Sequence, residues 1–422
     1  MFEKIMCKQL NANFRSAIHR TQHGFLKGKS TLTNLTEYCS STLCLMEKGN
    51  QIDAIYTDFS KAFDKVDHAL LIYKLRKLGL AEEMTNWLAS YLNGRTQTVR
   101  LENYESRPII VRSSVPQGSH LGPLLFLVFI NDLFMTFNNV SFLFYADDLK
   151  FFRVVNSLND AMMMQNNVND LNVWCDRNGM LLNVKKCSII SFCRRKIAFE
   201  FDYEIQGNKL ERLQVVKDLG VFIDTKMSFK FHVNLIIARA NSKLGMIKRF
   251  GKDFKEPYVL KALYCSLVRS TLEYGSVVWM PHYEIHVNRI ESVQKQFLLF
   301  CLRNLGWSSR FDLPSYVHRL RLINLLQLSD RRKMACCLFV FDLLSGKINS
   351  DFLLTKFKRR PRIYDLRHPR LLYEELHTTN YGMNEPINRC CMIFNQFRDL
   401  YTPSISRTLY RDILTEKLKN ES

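Results

Sequence analysis

Residues 142–152 read FLFYADDLKFF, two adjacent carboxylates inside an almost wholly apolar run. Phe142 to Ala146 before them and Leu149 to Val155 after them are strand formers. The segment therefore predicts a β-hairpin whose two-residue connection is Asp147-Asp148. Tight hairpins favour Asn-Gly or Asp-Gly, because their central residues take positive φ. Two like charges without glycine make a poor turn, and partial burial is unfavourable unless a cation sits there. A solvated acidic turn is the plainer alternative, so other segments have to decide.

A second carboxylate comes from QIDAIYTDF (51–59), a β-branched and aromatic stretch that predicts a buried strand ending at Asp58. Asp58 and Asp147 are 89 positions apart (147 less 58), each at the end or turn of an apolar strand. If those strands neighbour each other in one sheet, Asp58, Asp147 and Asp148 converge on a single edge. Oxygen-only ligands of this kind suit Mg²⁺, which takes one or two carboxylates plus water and substrate phosphates; Mn²⁺ is the alternative occupant. Two such ions would activate an attacking hydroxyl and stabilise a leaving phosphate.

The bulk properties fit that chemistry. The chain has 422 residues, 47% hydrophobic and 24% charged, enough for a large core divided among two or three domains. Its formal charge of +20 makes a polyanion the natural partner. The long basic amphipathic helix of a membrane-surface protein is not evident, and the apolar stretch PLLFLVFI (123–130) is too short to span a bilayer. Twelve cysteines without a signal peptide or zinc-type spacing read as reduced, structural thiols of an intracellular protein. His282 and His286, four apart, have no third ligand nearby and follow Pro281, a weak case for a metal.

The local signals alternate. Val66, Leu70, Leu71, Leu75 and Leu78 recur at helical spacing and Gly79 stops the run; a shorter helix covers about 82–92. TQTVRL and SRPIIVRS predict strands around a polar turn, then the loop VPQGSHLGP (115–123) leads into an apolar helix. A further helix follows Ser157, with Asp160 three residues on and Asn178-Gly179 at its end. CSIISF (187–192) and DLGVFID (218–224) predict two more strands, and from about His232 onward the pattern turns helical and basic. The expected class is α+β followed by an α-rich region.

Taken together, YTDFSKAFDKVDH, SSVPQGSHLGPLLFLVFINDL and FLFYADDLKFF resemble, in order and spacing, the reverse transcriptases of non-LTR (LINE-type) retrotransposons, most closely the insect jockey-like group. QHGFLKGKST (22–31), NGMLLNVKKCSIISF (178–192), KDLGVFIDTKMSFKFHV (217–233) and LYCSLVRSTLEYGSVVW (263–279) extend the resemblance over nearly the whole chain. It implies a right-hand polymerase: partial fingers over 1–50, a palm over 51–232 with a fingers hairpin near 95–113, a helical thumb over 233–345 and a basic carboxy-terminal region over 346–422. It also implies an RNA-directed DNA polymerase that takes an RNA template, a DNA primer and deoxynucleotide triphosphates, in the nucleus or a cytoplasmic ribonucleoprotein.

Residue by residue, the resemblance makes Asp58 and Asp147 metal ligands, with Asp148 as third carboxylate and the backbone of Phe59 lining the site. Phe63 matches the aromatic steric gate against a 2′-hydroxyl. Gln117 and Gly118 match the loop against template and incoming base. Lys186 matches the lysine that assists the departing pyrophosphate, and Leu219-Gly220 the primer grip. In KFKRRPRIYDLRHPR (356–370), which holds seven Lys or Arg, Lys356, Lys358, Arg359, Arg360 and Arg362 would follow the phosphate backbone of template and primer.

The chain also departs from the pattern. Ser114 stands where relatives usually carry glycine, His120 where they carry a small apolar residue, Leu26 for arginine and Cys187 for threonine. An upstream Arg-Pro-Ile-Ser type motif, an amino-terminal endonuclease and a Cys/His knuckle are absent, which suggests an amino-terminally truncated piece of an element. The competing functional class is accordingly an inactive or co-opted remnant that binds RNA or DNA without polymerising.

Overall fold

In the computed structural model, which describes residues 2–195, 198–254, 256–307, 313–359 and 371–421, the apolar run after Gln51 becomes the middle strand of a five-stranded sheet. That strand, β1 (Ile52–Thr57), pairs antiparallel on one side with β3 (Asp148–Val154) and on the other with β4 (Ser188–Phe192). β2 (Ser141–Tyr145) forms one edge beside β3, and the short β5 (Glu211–Arg212) forms the other, parallel to β4. Both faces of the middle strands are buried, which explains why their sequences are continuously apolar rather than alternating. Ile55, Phe151 and Ile189 face a core that includes Phe126, Phe129, Leu171 and Trp174. Ile52, Ala54, Ile190 and Phe192 are equally buried.

One buried charge is built into this sheet. Asp53 is inaccessible, yet it accepts hydrogen bonds from Gln51 Nε2 (2.9 Å), Ser191 Oγ (2.6 Å) and Tyr203 Oη (2.9 Å). Three donors offset the loss of water around a carboxylate, and they tie β1 to β4 and to the segment that follows it.

The helices follow their sequence signals closely. His68–Lys77 is capped by the Asp67 side chain and ends before Gly79, whose φ is +83°. Glu82–Leu92 and Gly122–Ile130 follow. Leu158–Asn178 opens with a reciprocal Ser157–Asp160 capping box and closes at Gly179 with φ +63°. Between the second and third of these helices, residues 96–110 form a small, fully exposed ribbon.

The chain divides into two compact units: residues 1–34 with 49–214, and residues 35–48 with 215–422. The sheet belongs to the first. The second contains a hairpin, Val215–Asp218 and Val221–Asp224, and long helices at Lys230–Phe250, Glu284–Asn304, Leu328–Leu344 and Arg407–Glu421. The run expected as one strand over 218–224 is therefore corrected. Leu219 and Gly220, at φ +42° and +90°, turn the chain between two strands in the manner of a type I′ connection. His282 lies before the helix that starts at Glu284, so His282 and His286 do not share a helical face. Among the described residues no helix is long and apolar enough to cross a membrane.

Candidate polymerase active site

The register of the sheet decides where the carboxylates meet. Thr57 of β1 stands opposite Leu149 of β3, so the next step along β1 sets Asp58 across from Asp148. In the β2–β3 hairpin Tyr145 pairs with Asp148, which leaves Ala146 and Asp147 as the two turn residues. This corrects the expected Asp147-Asp148 connection. Asp148 is the first residue of β3 and Ala146 takes the positive φ, +55°, that glycine usually supplies.

The turn lifts Asp147 to a half-buried position. Burial pushes its carboxyl above the ordinary range, and the nearby Asp58 charge pushes it the same way. Asp58 is 32% exposed at its side chain and pairs with Lys186 Nζ at 3.2 Å. Its carbonyl accepts from the Asn183 N–H (2.8 Å), and Phe59 bridges Leu182, so the Leu181–Asn183 segment fixes the end of β1. Asp148 is exposed. No three His, Cys, Asp or Glu side chains among the described residues are gathered into a ready-made metal cage. Two oxygen donors that share an edge and repel each other nonetheless suit a divalent cation that completes its shell with water and phosphate.

Phe63, in the turn Ala62–Lys65 beyond Asp58, is partly exposed and stacks on Phe126 with ring centroids 4.2 Å apart and planes 19° apart. Phe25 meets its edge at 6.2 Å. The ring is thus backed by core and open on one side. Gln117 is exposed and donates to Asp64 Oδ1 at 2.9 Å, which links its loop to the same turn. Gly118 holds φ +82°, and a Cβ there would meet nothing within 4 Å. Ser114, at the start of that loop, adopts φ +106°, a conformation that favours glycine.

The remaining residues belong to the other unit. Leu219 and Gly220 are fastened by Tyr274, whose hydroxyl donates to the Leu219 carbonyl at 2.8 Å and whose ring would lie 2.9 Å from a Cβ at Gly220. Lys356, Lys358 and Arg359 are exposed. Arg360 and Arg362 lie outside the described residues.

Sequence reasoning assigned no role to Gln22, within QHGFLKGKST. The residue is 4% exposed and its amide holds both peptides that flank the Ala146 Cα: Oε1 accepts from the Ala146 N–H (2.9 Å), and Nε2 donates to the Ala146 carbonyl (3.2 Å). Glutamine and glycine two apart in a loop were the only signal of it.

Residues 1–231 match the family model described as "Reverse transcriptase (RNA-dependent DNA polymerase)". The chain belongs to the reverse transcriptase family. Curated proteins similar to this chain include two from Drosophila melanogaster. The chain is 29% identical over 310 residues to the probable RNA-directed DNA polymerase from transposon BS, covering 70% of this chain and 34% of that protein. It is 26% identical over 304 residues to the RNA-directed DNA polymerase from mobile element jockey, covering 70% and 32%. The chain thus spans about a third of the length of the relatives it matches. A solved structure of apo telomerase from Candida tropicalis aligns with 78% of this chain and 54% of its own, at 11% identity and a TM-score of 0.43. The α+β sheet followed by a helical region is the expected class, and the family assignment accounts for it.

Proposed function

We propose that this chain is the RNA-directed DNA polymerase of a jockey-like non-LTR retrotransposon, extending a DNA primer on an RNA template. The observation that carries the reading is the β1–β3 register, which sets Asp58 beside the Ala146-Asp147 turn in a chain of this family. Asp58 and Asp147 would hold Mg²⁺, or Mn²⁺ in its place, with Asp148 and the Phe59 backbone at the margin of the site. The bound ions supply activation of the primer hydroxyl and neutralisation of charge on the phosphates.

The chain's own residues then divide the work. Phe63, held against Phe126, presents a rigid ring where a ribose 2′-hydroxyl would collide, favouring deoxynucleotide triphosphates. Gln117 and Gly118 offer an amide and a bare backbone to the template–nucleotide pair. Lys186, paired with Asp58, would turn to a departing pyrophosphate once phosphate competes for its charge. Leu219-Gly220 would support the primer strand. Lys356, Lys358 and Arg359, with Arg360 and Arg362, would contact phosphates without reading sequence. The endonuclease would reside elsewhere in the full element, and the site of action would be the nucleus or a ribonucleoprotein.

The test is extension of a DNA primer on an RNA template with Mg²⁺, comparing the chain with Asp147→Asn. Extension lost in the variant while duplex binding persists supports the reading. Salt-sensitive duplex binding without extension by either protein would make the chain a nucleic-acid-binding remnant instead.

A further inference from the structure

The turn that carries Asp147 is not self-supporting. Ala146 sits at φ +55°, where a side chain is disfavoured. Its N–H and carbonyl find their hydrogen bonds 124 positions away, on the single amide of Gln22. The amide orientation is set by its partners, because Oε1 also accepts from the Gly24 N–H at 2.7 Å and so faces two donors. The flanking backbone is laced in the same way. The Phe144 N–H donates to the Thr21 carbonyl (3.0 Å) and the His23 N–H donates to the Phe144 carbonyl (2.9 Å). Asn34 Nδ2 gives that carbonyl a second bond at 3.0 Å. Gly24 completes the fit: a Cβ there would lie 2.2 Å from the Ala146 nitrogen.

We propose that Gln22 is a positioning residue for the metal site: its amide fixes the Ala146–Asp147 peptide, and with it the aim of the Asp147 carboxylate. Gly24 serves the same purpose by admitting the turn. Neither touches the reacting atoms. The peptide bond whose carbonyl Gln22 holds is the one leading into Asp147, so rotating it swings the carboxylate away from Asp58. The inference rests on the reading of Asp58 and Asp147 as metal ligands.

The experiment uses the whole chain with Gln22→Met, which keeps the side-chain volume and loses all three hydrogen bonds of the amide, two of them to Ala146. Gly24→Ala is the second variant, pushing the same turn while leaving the glutamine intact. Mn²⁺ binding is followed by electron paramagnetic resonance, backbone exchange of peptides covering 144–148 by mass spectrometry, and duplex affinity by fluorescence anisotropy. Removing two hydrogen bonds from the turn is expected to weaken Mn²⁺ binding about tenfold and speed exchange at the turn, with duplex affinity unchanged. In an active preparation the half-saturating Mg²⁺ concentration for primer extension rises by a similar factor. Wild-type Mn²⁺ affinity and exchange in a folded Gln22→Met or Gly24→Ala protein would overturn the inference. If the unmodified chain binds no Mn²⁺, or Asp147→Asn binds it equally well, the metal-site reading fails, and the exchange measurement alone decides whether Gln22 holds the turn.

Discussion

Single residues carry both the chemistry and the strain of this protein. Phe63 is the specificity candidate, because a stacked, half-open ring cannot step aside for an extra hydroxyl. Phe63→Ala is expected to relax discrimination against ribonucleotides by about tenfold or more, measured as the ratio of kcat/KM for deoxy- and ribonucleotides. An unchanged ratio in an active enzyme would remove it from that role. Ser114 is a different case, since its φ of +106° belongs to glycine. Ser114→Gly is expected to raise stability by about 1 kcal/mol in a denaturant titration, the relief of strain exceeding the added freedom of the unfolded chain. The sequence singled Ser114 out as a departure from the family, but only the backbone shows why glycine suits the position. Asp58, Asp147 and Phe63 were named as candidates from the sequence, whereas the placement of Ala146 in the turn was not legible there. Register belongs to a pair of strands, and one strand's composition does not specify it.

Elements form where local signals agree, and most helices here were legible for that reason. Ser157 with Asp160, Gly79 and Gly179 are caps and stops that act within a turn or two of themselves. The Leu219-Gly220 hairpin escaped because leucine is a poor signal for positive φ, and Tyr274 supplies the missing support from 55 positions away. The helix Lys230–Phe250 behind that hairpin carries a pH-sensitive contact. His232 is buried, accepts the Phe222 N–H on Nδ1 at 3.2 Å, and meets Trp279 edge to face. Protonation would set one N–H against another, and burial lowers its pKa from 6.5 to about 4. The unfolded chain therefore binds a proton between pH 6.5 and 4 that the folded chain refuses, so stability falls as pH drops through that window. The loss attributable to His232 is on the order of 3 kcal/mol. His232→Gln, whose amide oxygen can still accept the Phe222 N–H, is expected to flatten this part of a stability–pH curve. His282 and His286, also held below their usual range by burial, keep their own smaller share. A curve unchanged by the substitution would place the sensitivity elsewhere.

At the scale of the whole molecule, charge sets the expected behaviour. With a net charge of +20, the protein should bind an RNA–DNA duplex through phosphate contacts that release counterions. Replacing Lys356, Lys358 and Arg359 by alanine is expected to make the slope of log affinity against log salt shallower by about two to three, with little sequence preference gained or lost. Equal slopes would show that this exposed cluster lies off the duplex. Sequence by itself determined the basic character and the α+β order, and its resemblance to a known family pointed to the reverse transcriptases and to Asp58, Asp147 and Asp148 as candidates. The first two rest on composition and local periodicity, and the resemblance rests on motifs whose order and spacing along the chain match. Tertiary structure alone decided which residue turns the hairpin, which strand brings Asp58 to it, and that Gln22 holds Ala146 across 124 positions. Such pairings depend on how separate segments pack, and no local preference of either segment encodes its partner.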